Sequence, residues 1–598
     1  MRARFMTATL VAVLAAETAS AQRDPSAIYK ANCAACHEGT DVRAPDRQTL
    51  ELKAPDAIFA SLVSGTMAMQ ARGLSVADKR AIAEFLGRPP QGASASEATL
   101  CASAPFADPG SGPRWTGWGA DPENTRFKKD AGLTADDVPK LKLKWAFGFP
   151  GATVAYSQPA VAGGRVFVGS ATGVVYALDA KTGCAHWSYA APAPVRTAIS
   201  VGRIAGSEPR HAVFFGDLKA TVHALDASTG APLWHKQLDP HDAARITGAP
   251  TLHDGRLYVP VSSWEEGAGG RAGYECCTFR GSVAALDAAT GAVIWHTYAI
   301  ADAPRPTRKT STGTQLWGPS GAAIWTAPTI DLARRAVYVG TGNAYSEPAT
   351  TTSDAILALD MDTGKLRWSR QITPNDVFVV NCRDKNPNCP EAVGPDFDFG
   401  SSPILRQAPN GRALLVVGQK SGVAYGLDPD KQGALLWQFR AGKGGLLGGI
   451  EWGMAADEEN VYIPVSDLLD PADAPRGLFA VRLATGEQVW HAPAPSLNCA
   501  GGRGCVGSQS AAITAIPGIV FAGSVDGHIR AYSTRDGRVV WSFDTAREFD
   551  TVNRVKANGG SIDAAGPVVA DGMLLTNSGY GQWRGKPGNV LLAFEVER

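Results

Sequence analysis

The chain has 598 residues, and its 57 lysines and arginines balance 57 aspartates and glutamates, leaving no net charge. That balance excludes the basic surface that nucleic acid or an anionic membrane would attract. Glycine is frequent, at 66 residues, which fits a fold with many tight turns.

In chain order, residues 1–21 read as a secretory signal. Arg2 and Arg4 open it, Leu10–Ala16 lies in a short apolar run, and Ala19-Ser20-Ala21 forms a small-residue cleavage site. The run is too short to span a bilayer and no later segment is long enough, so no transmembrane anchor is expected. The mature protein is expected to be exported. The cysteine usage points to an oxidising compartment such as a periplasm.

Residues 22–88 read as a small all-α cytochrome c domain. Cys33-Ala34-Ala35-Cys36-His37 is the c-type haem attachment pattern: two thiols for thioethers and an imidazole for the iron. A zinc site would need a second ligand pair, and this stretch has no other Cys or His. A thioether on the far side of the iron would raise its potential. The candidates are Met67 and Met69, before a helix predicted at Ser75–Leu86, and the Gly-x-Met spacing favours Met67. Residues 89–112, rich in Pro, Ala, Ser and Gly, read as a linker.

From 113 to 598 the sequence repeats one unit, cleanest at Val283–Trp295. Alternating apolar residues predict a strand, Asp-x-x-Thr-Gly a tight turn with glycine at positive φ, and a second strand ends in Trp. Tryptophans recur at 145, 187, 234, 295, 368, 437, 490 and 541. The intervals run from 42 residues (Trp145 to Trp187) to 73 (Trp295 to Trp368), as four-stranded propeller blades need. Leu141–Trp145 lacks its upstream half, and Val590–Val596 lacks a turn and a Trp after it. Joined, they complete an eighth blade and close the ring, which removes exposed sheet edges. Trp115-Thr116-Gly117-Trp118-Gly119 reads as an opening strand that packs on the closing blade.

Beyond Cys33 and Cys36, eight cysteines remain. Cys276 and Cys277 are adjacent, Cys382/Cys389 and Cys499/Cys505 close small loops, and elimination pairs Cys101 with Cys184, which would pin the linker to the first blade. The three longest intervals between tryptophans hold Ser262-Ser263-Trp264-Glu265-Glu266, Trp325, Gly340-Thr341-Gly342-Asn343, Asp396-Phe397-Asp398-Phe399-Gly400 and Lys420. Long loops at one mouth of a ring usually build its site.

The Asp-x-x-Thr-Gly-x-x-x-Trp repeat over 113–598 resembles the quinoprotein alcohol dehydrogenases, eight-bladed propellers that bind pyrroloquinoline quinone (PQQ) and a divalent metal on their axis. An N-terminal haem domain is most similar to the cytochrome-type polyvinyl-alcohol dehydrogenases. The resemblance implies that Arg196, Thr247, Ser262, Ser263, Lys420 and Trp583 contact PQQ, and that Trp325 is the floor under it. It implies Glu265, Asn343 and Asp398 as metal ligands and Asp398 as the base, with Asp396 as the alternative. Cys276 and Cys277 would contact the quinone, although in methanol dehydrogenases the pair precedes the residue matching Arg196, and here that place is Ala190-Ala191. An asparagine near the quinone appears here as Glu451. The hard oxygen donors suit Ca²⁺, with a lanthanide as the alternative. The implied activity is oxidation of a secondary alcohol, of a polymer such as polyvinyl alcohol, with electrons passing through haem c to a soluble cytochrome c. The alternatives are a PQQ dehydrogenase for small alcohols or aldehydes, or a non-enzymatic propeller scaffold.

Overall fold

The computed structural model describes residues 24–597, apart from 39–46, 52–54, 64–66, 68–69, 88–99, 102–105, 108–111, 113, 206–209, 272, 381, 383–385, 470–473, 496 and 498–501. The signal segment, Met69 and Cys499 lie outside the described residues. The chain divides into two compact units, Met1–Pro89 and Pro90–Arg598.

The first unit is helical. Asp24 caps Pro25–Asn32, with Pro25 in the first turn where its missing N–H costs nothing. Ser75 and Asp78 form a reciprocal capping box that starts Val76–Leu86. Ile28, Tyr29, Leu50, Ile58, Leu62, Ile82 and Leu86 make the core, and Cys33 and Met67 pack against it. The unpaired Cys33 caps the short helix Ala34–His37, which contains the unpaired Cys36, and His37 is buried.

The second unit is the eight-bladed ring. Blades 1 to 7 span 160–190, 200–237, 251–298, 329–371, 404–440, 455–493 and 514–544, each an antiparallel four-stranded sheet, with Ala244–Arg245 adding a fifth strand to the third. Blade 8 combines Val568–Ala570, Met573–Ser578 and Val590–Val596 with Leu141–Gly148 from the other end of the chain. Leu141 pairs with Val596 and Gly148 with Val590, so the two half-blades close the circle.

The repeated motif explains why blades dock. In the turn, Asp179, Asp226, Asp287 and Asp360 each accept the backbone N–H and the hydroxyl of the following threonine. The turn glycine then takes positive φ, and the tryptophan of the preceding blade lies against it. A Cβ on Gly230 would come within 2.6 Å of the Trp187 ring, and one on Gly364 within 2.5 Å of Trp295. The indole N–H groups of Trp145, Trp187, Trp234, Trp295, Trp437, Trp490 and Trp541 each donate to a carbonyl of the next blade. Turn and tryptophan thus belong to one contact, made between neighbouring copies.

Residues 115–119, expected as an opening strand on the closing blade, instead begin an irregular segment that runs to 131. Trp115 pairs with Val161 of blade 1, and Thr116 accepts from Val201 of blade 2. Pro122 then accepts from Ile330 of blade 4, Glu123 from Leu405 of blade 5, Thr125 from Ala456 of blade 6 and Arg126 from Ala515 of blade 7. Ala131 accepts from Gly572 in blade 8. One irregular segment reaches seven blades, so it runs as a belt around the axis and takes up backbone groups that the first strands would leave unpaired. Cys101–Cys184 fastens the end of the linker to blade 1, and Cys276–Cys277 and Cys382–Cys389 are also closed. Cys505 is disulfide-bonded as well.

Candidate active site

The long loops between blades deliver the charged groups to the hub. Asp398 is the centre of the arrangement. Its Oδ1 accepts the backbone N–H of Asn343 at 2.8 Å, and its Oδ2 accepts the indole N–H of Trp325 at 3.0 Å. Gly400 must be glycine here, because a Cβ would fall 1.9 Å from the Trp325 ring. That explains the small residue at the end of Asp-Phe-Asp-Phe-Gly. The Asn343 Nδ2 donates to Ala344 and Phe378 carbonyls, each at 2.8 Å, which turns Oδ1 the other way. That Oδ1 is buried with no protein partner.

Lys420 is buried beside this group. Its ammonium lies 2.7 Å from Asp396 and 3.8 Å from Asp398. Burial works against its charge, but Asp396, Asp398 and Glu266 more than reverse this and hold it above the ordinary lysine range. Asp354 is fully buried, and both its oxygens lack a hydrogen bond. Burial, then Asp376 and Asp398, push it well up. Several carboxyls thus face one ammonium, a surplus of negative charge that a bound cation would offset.

Glu265 and Glu266 occupy different places. Glu265 accepts the backbone N–H groups of Thr278, at 3.0 Å, and Phe279, at 2.8 Å, and the Tyr274 hydroxyl at 3.1 Å. Its oxygens are therefore committed to holding a turn. Glu266, one residue on, is the carboxyl that feels Asp398 and Lys420, and burial followed by Asp398 pushes it up to about 8. Ser263 accepts the Glu265 N–H at 2.7 Å and starts the short helix Glu265–Gly269. Thr247 and Ser262 share a 2.7 Å hydrogen bond.

A narrow cavity is lined by Trp325, Trp452, Arg196, Tyr156 and Thr247. The Arg196 guanidinium lies 4.5 Å over the Trp452 ring and donates to the Tyr580 hydroxyl at 3.1 Å. Trp452 meets Trp325 edge-on with ring centres 5.1 Å apart. Trp583 packs into the cluster of Tyr156 and Tyr580 that flanks Arg196.

Against known proteins, residues 115–384 match a family model described as glucose/ethanol/alcohol dehydrogenase, beta-propeller domain. Residues 20–86 match cytochrome C oxidase, cbb3-type, subunit III, and 419–583 match outer membrane protein assembly factor BamB. A polyvinylalcohol dehydrogenase from Pseudomonas sp. is 44 % identical over 99 % of this chain and 97 % of its own. One from Sphingopyxis sp. strain 113P3 is 40 % identical over 96 % and 93 %. The chain belongs to the polyvinylalcohol dehydrogenase family. It is therefore a PQQ-dependent, cytochrome-linked alcohol dehydrogenase. A solved quinohaemoprotein alcohol dehydrogenase from Pseudomonas putida HK5 aligns with TM-score 0.60 at 19 % identity, covering 83 % of each chain. One from Comamonas testosteroni aligns at 0.58 and 20 %, covering 81 % and 80 %, and both likenesses concern the fold alone.

The residues of this family member fit a flat polyanionic quinone. Trp325 supplies a planar face, and Arg196 with Lys420 supplies cations. The sequence reading missed Arg245, a further buried cation close to Arg196 and Tyr156, whose charge burial disfavours. It also missed Trp452, Tyr156 and Tyr580, which arrive from distant blades. The residues also fit a hard cation, through the orphaned Asn343 Oδ1 beside Asp398.

The adjacent cysteine pair is closed and lies apart from this cavity. Cys276–Cys277 is absent from the cavity lining and is buried against Gly269, where a Cβ would lie 2.9 Å from the Cys276 sulfur. Its backbone exchanges hydrogen bonds with Trp317. It directly precedes the Thr278 and Phe279 amides that hold Glu265, so it shapes that turn. In the helical unit, Cys33 and Met67 pack on one core, and His37 is buried.

Proposed function

We propose that this chain oxidises secondary alcohol groups of a vinyl-alcohol polymer to ketones in the periplasm and passes the electrons to a soluble cytochrome c. The observation that carries the reading is the Asp398 carboxylate pinned between Trp325 and Asn343. When bound, PQQ with a divalent cation would supply hydride acceptance, and haem c would supply one-electron transfer.

Asp398 takes the hydroxyl proton. Both its oxygens are fixed in direction, so no reorientation is needed at the moment of transfer. Asp396 is the weaker candidate, because its Oδ2 is held by Lys420 at 2.7 Å and it is fully buried. Asn343 Oδ1, Asp398 and Glu266 would hold the cation, with Glu266 in the place expected of Glu265. Leaving Asp396 to Lys420 favours Ca²⁺ over a lanthanide. Thr247, Ser262, Arg196, Lys420 and Trp583 orient the quinone. Cys33, Cys36, His37 and Met67 hold the haem, and the similarity to polyvinylalcohol dehydrogenases supports the polymer as substrate.

The test uses the holoenzyme with PQQ and Ca²⁺ and follows cytochrome c reduction. Polyvinyl alcohol and secondary alcohols should be oxidised faster than primary alcohols, and Asp398→Asn should lower the rate by about 10²-fold or more while leaving the haem spectrum intact. Faster turnover of small primary alcohols would reject the polymer. Undiminished activity of Asp398→Asn would reject the base.

A further inference from the structure

The reaction releases two protons, and the groups above account for one. Oxidation of R₂CHOH to R₂C=O yields two electrons and two protons. Asp398 takes the hydroxyl proton. The other travels with the hydride and must find a base inside the hub as the two electrons depart one at a time to haem c.

A second pair of buried carboxyls lies next to the tryptophans. Glu451 directly precedes Trp452, whose ring packs on Trp325 and under Arg196. Glu451 is 8 % exposed and Asp563 is 6 % exposed. The Ser510 hydroxyl donates to Glu451 Oε2 at 3.3 Å and also interacts with Asp563. Ala564 donates its N–H to Asp563 at 2.6 Å. The Glu451 Oε1 is buried and has no protein partner.

The groups that face this pair are Lys420, Arg196 and Tyr580, besides Ser466 and Ser510. Lys420 is already committed to Asp396 at 2.7 Å, and Arg196 acts on the Asp563 side. Glu451 therefore has no cation of its own. Burial, and then Asp563, push its carboxyl up to about 8. Two adjacent carboxyls out of water do not both ionise readily, so they retain a proton between them.

We propose that Glu451 and Asp563 hold one proton across Ser510 and form the second proton-accepting site of the hub, receiving the proton that leaves as electrons pass to haem c. It is distinct from Asp398 in place and in timing. It rests on the alcohol dehydrogenase reading of the hub.

The test has two readouts on the holoenzyme. Infrared difference spectra between wild type and Glu451→Gln, taken without substrate, should show one protonated-carboxyl band lost in the variant. Asp563→Asn should shift that band. In stopped flow with a secondary alcohol, both variants should reduce haem about 10²-fold more slowly, in the range of lost proton-transfer catalysis. The band should grow during wild-type turnover and not in Glu451→Gln. No band sensitive to Glu451→Gln, or wild-type haem reduction in both variants, would overturn the proposal. Asp398→Asn separates the two readings. If it too reduces haem at the wild-type rate, the alcohol dehydrogenase site fails. If only the Glu451 and Asp563 variants do, that site stands and the proton pair falls.

Discussion

Two buried cations in the ring are held in opposite ways. Arg126 is 0 % exposed, and every partner of its guanidinium is neutral. It donates to the carbonyls of Ile513, Trp118 and Pro567, to Gln158 and to Thr514, and lies 4.8 Å from the Trp118 ring. Lys420 instead faces carboxyl groups. A delocalised guanidinium can spread its charge over many carbonyl dipoles and so serve as a joint between the belt and blades 7 and 8. A compact ammonium among carboxylates fixes a local field, which is what charge-transfer chemistry needs. The same net charge is a rivet in one place and an electrostatic tool in the other.

The contrast breaks first at Lys420. Lys420→Met leaves Asp396 buried without its cation, and removing one partner of a buried pair typically costs about 3–5 kcal/mol. Alcohol-driven haem reduction should fall in parallel, by about 10²-fold or more, because Asp398 loses a neighbour that shapes its field. Thermal unfolding and stopped-flow haem reduction would measure the two losses. A variant that loses neither would place Lys420 with Arg126 as a structural cation.

Arg126→Met should give the milder and purely structural result. It strands several buried acceptors, at about 1–3 kcal/mol for an unsatisfied group, but removes the desolvation of the guanidinium itself. The expected outcome is a lower Tm with the PQQ-loaded rate per folded molecule retained. Loss of rate without loss of Tm would show that the belt positions the site.

These two residues also mark what could be read without coordinates. The blades were legible, because period-two strands, an Asp-Thr-Gly turn and a terminal Trp repeat the same local physics. Closure by Val590–Val596 and Leu141–Gly148 followed from counting half-units. Asp398, Asn343 and Trp325 stood in short motifs, and the fold brings them within hydrogen-bond reach. The belt was illegible because residues 115–131 have no periodicity, and their backbone partners come from seven blades. The different settings of Glu265 and Glu266 were illegible because a one-residue offset on a short helix changes which carboxyl meets the backbone amides. Arg245, Trp452 and Asp563 carry no local signal, since only the closed ring makes them neighbours.

The last test separates a buried acid from a buried ion pair by its pH dependence. The Glu451 carboxyl rises from its ordinary 4.5 to about 8 on folding, through burial and then Asp563. Between those values the folded state binds more protons than the unfolded chain, so unfolding free energy falls as pH rises. The stabilising contribution is complete below about 4.5 and is lost as pH passes about 8. Glu451→Gln cannot ionise and should remove this slope. The variant should therefore gain on the wild type between pH 5 and pH 9, by up to about 4 kcal/mol for that full shift. Urea unfolding of both proteins at pH 5 and pH 9 would measure the difference. Parallel lines would mean that Glu451 is already ionised in the folded ring, held by Arg196 and Lys420 as Lys420 is held by Asp396.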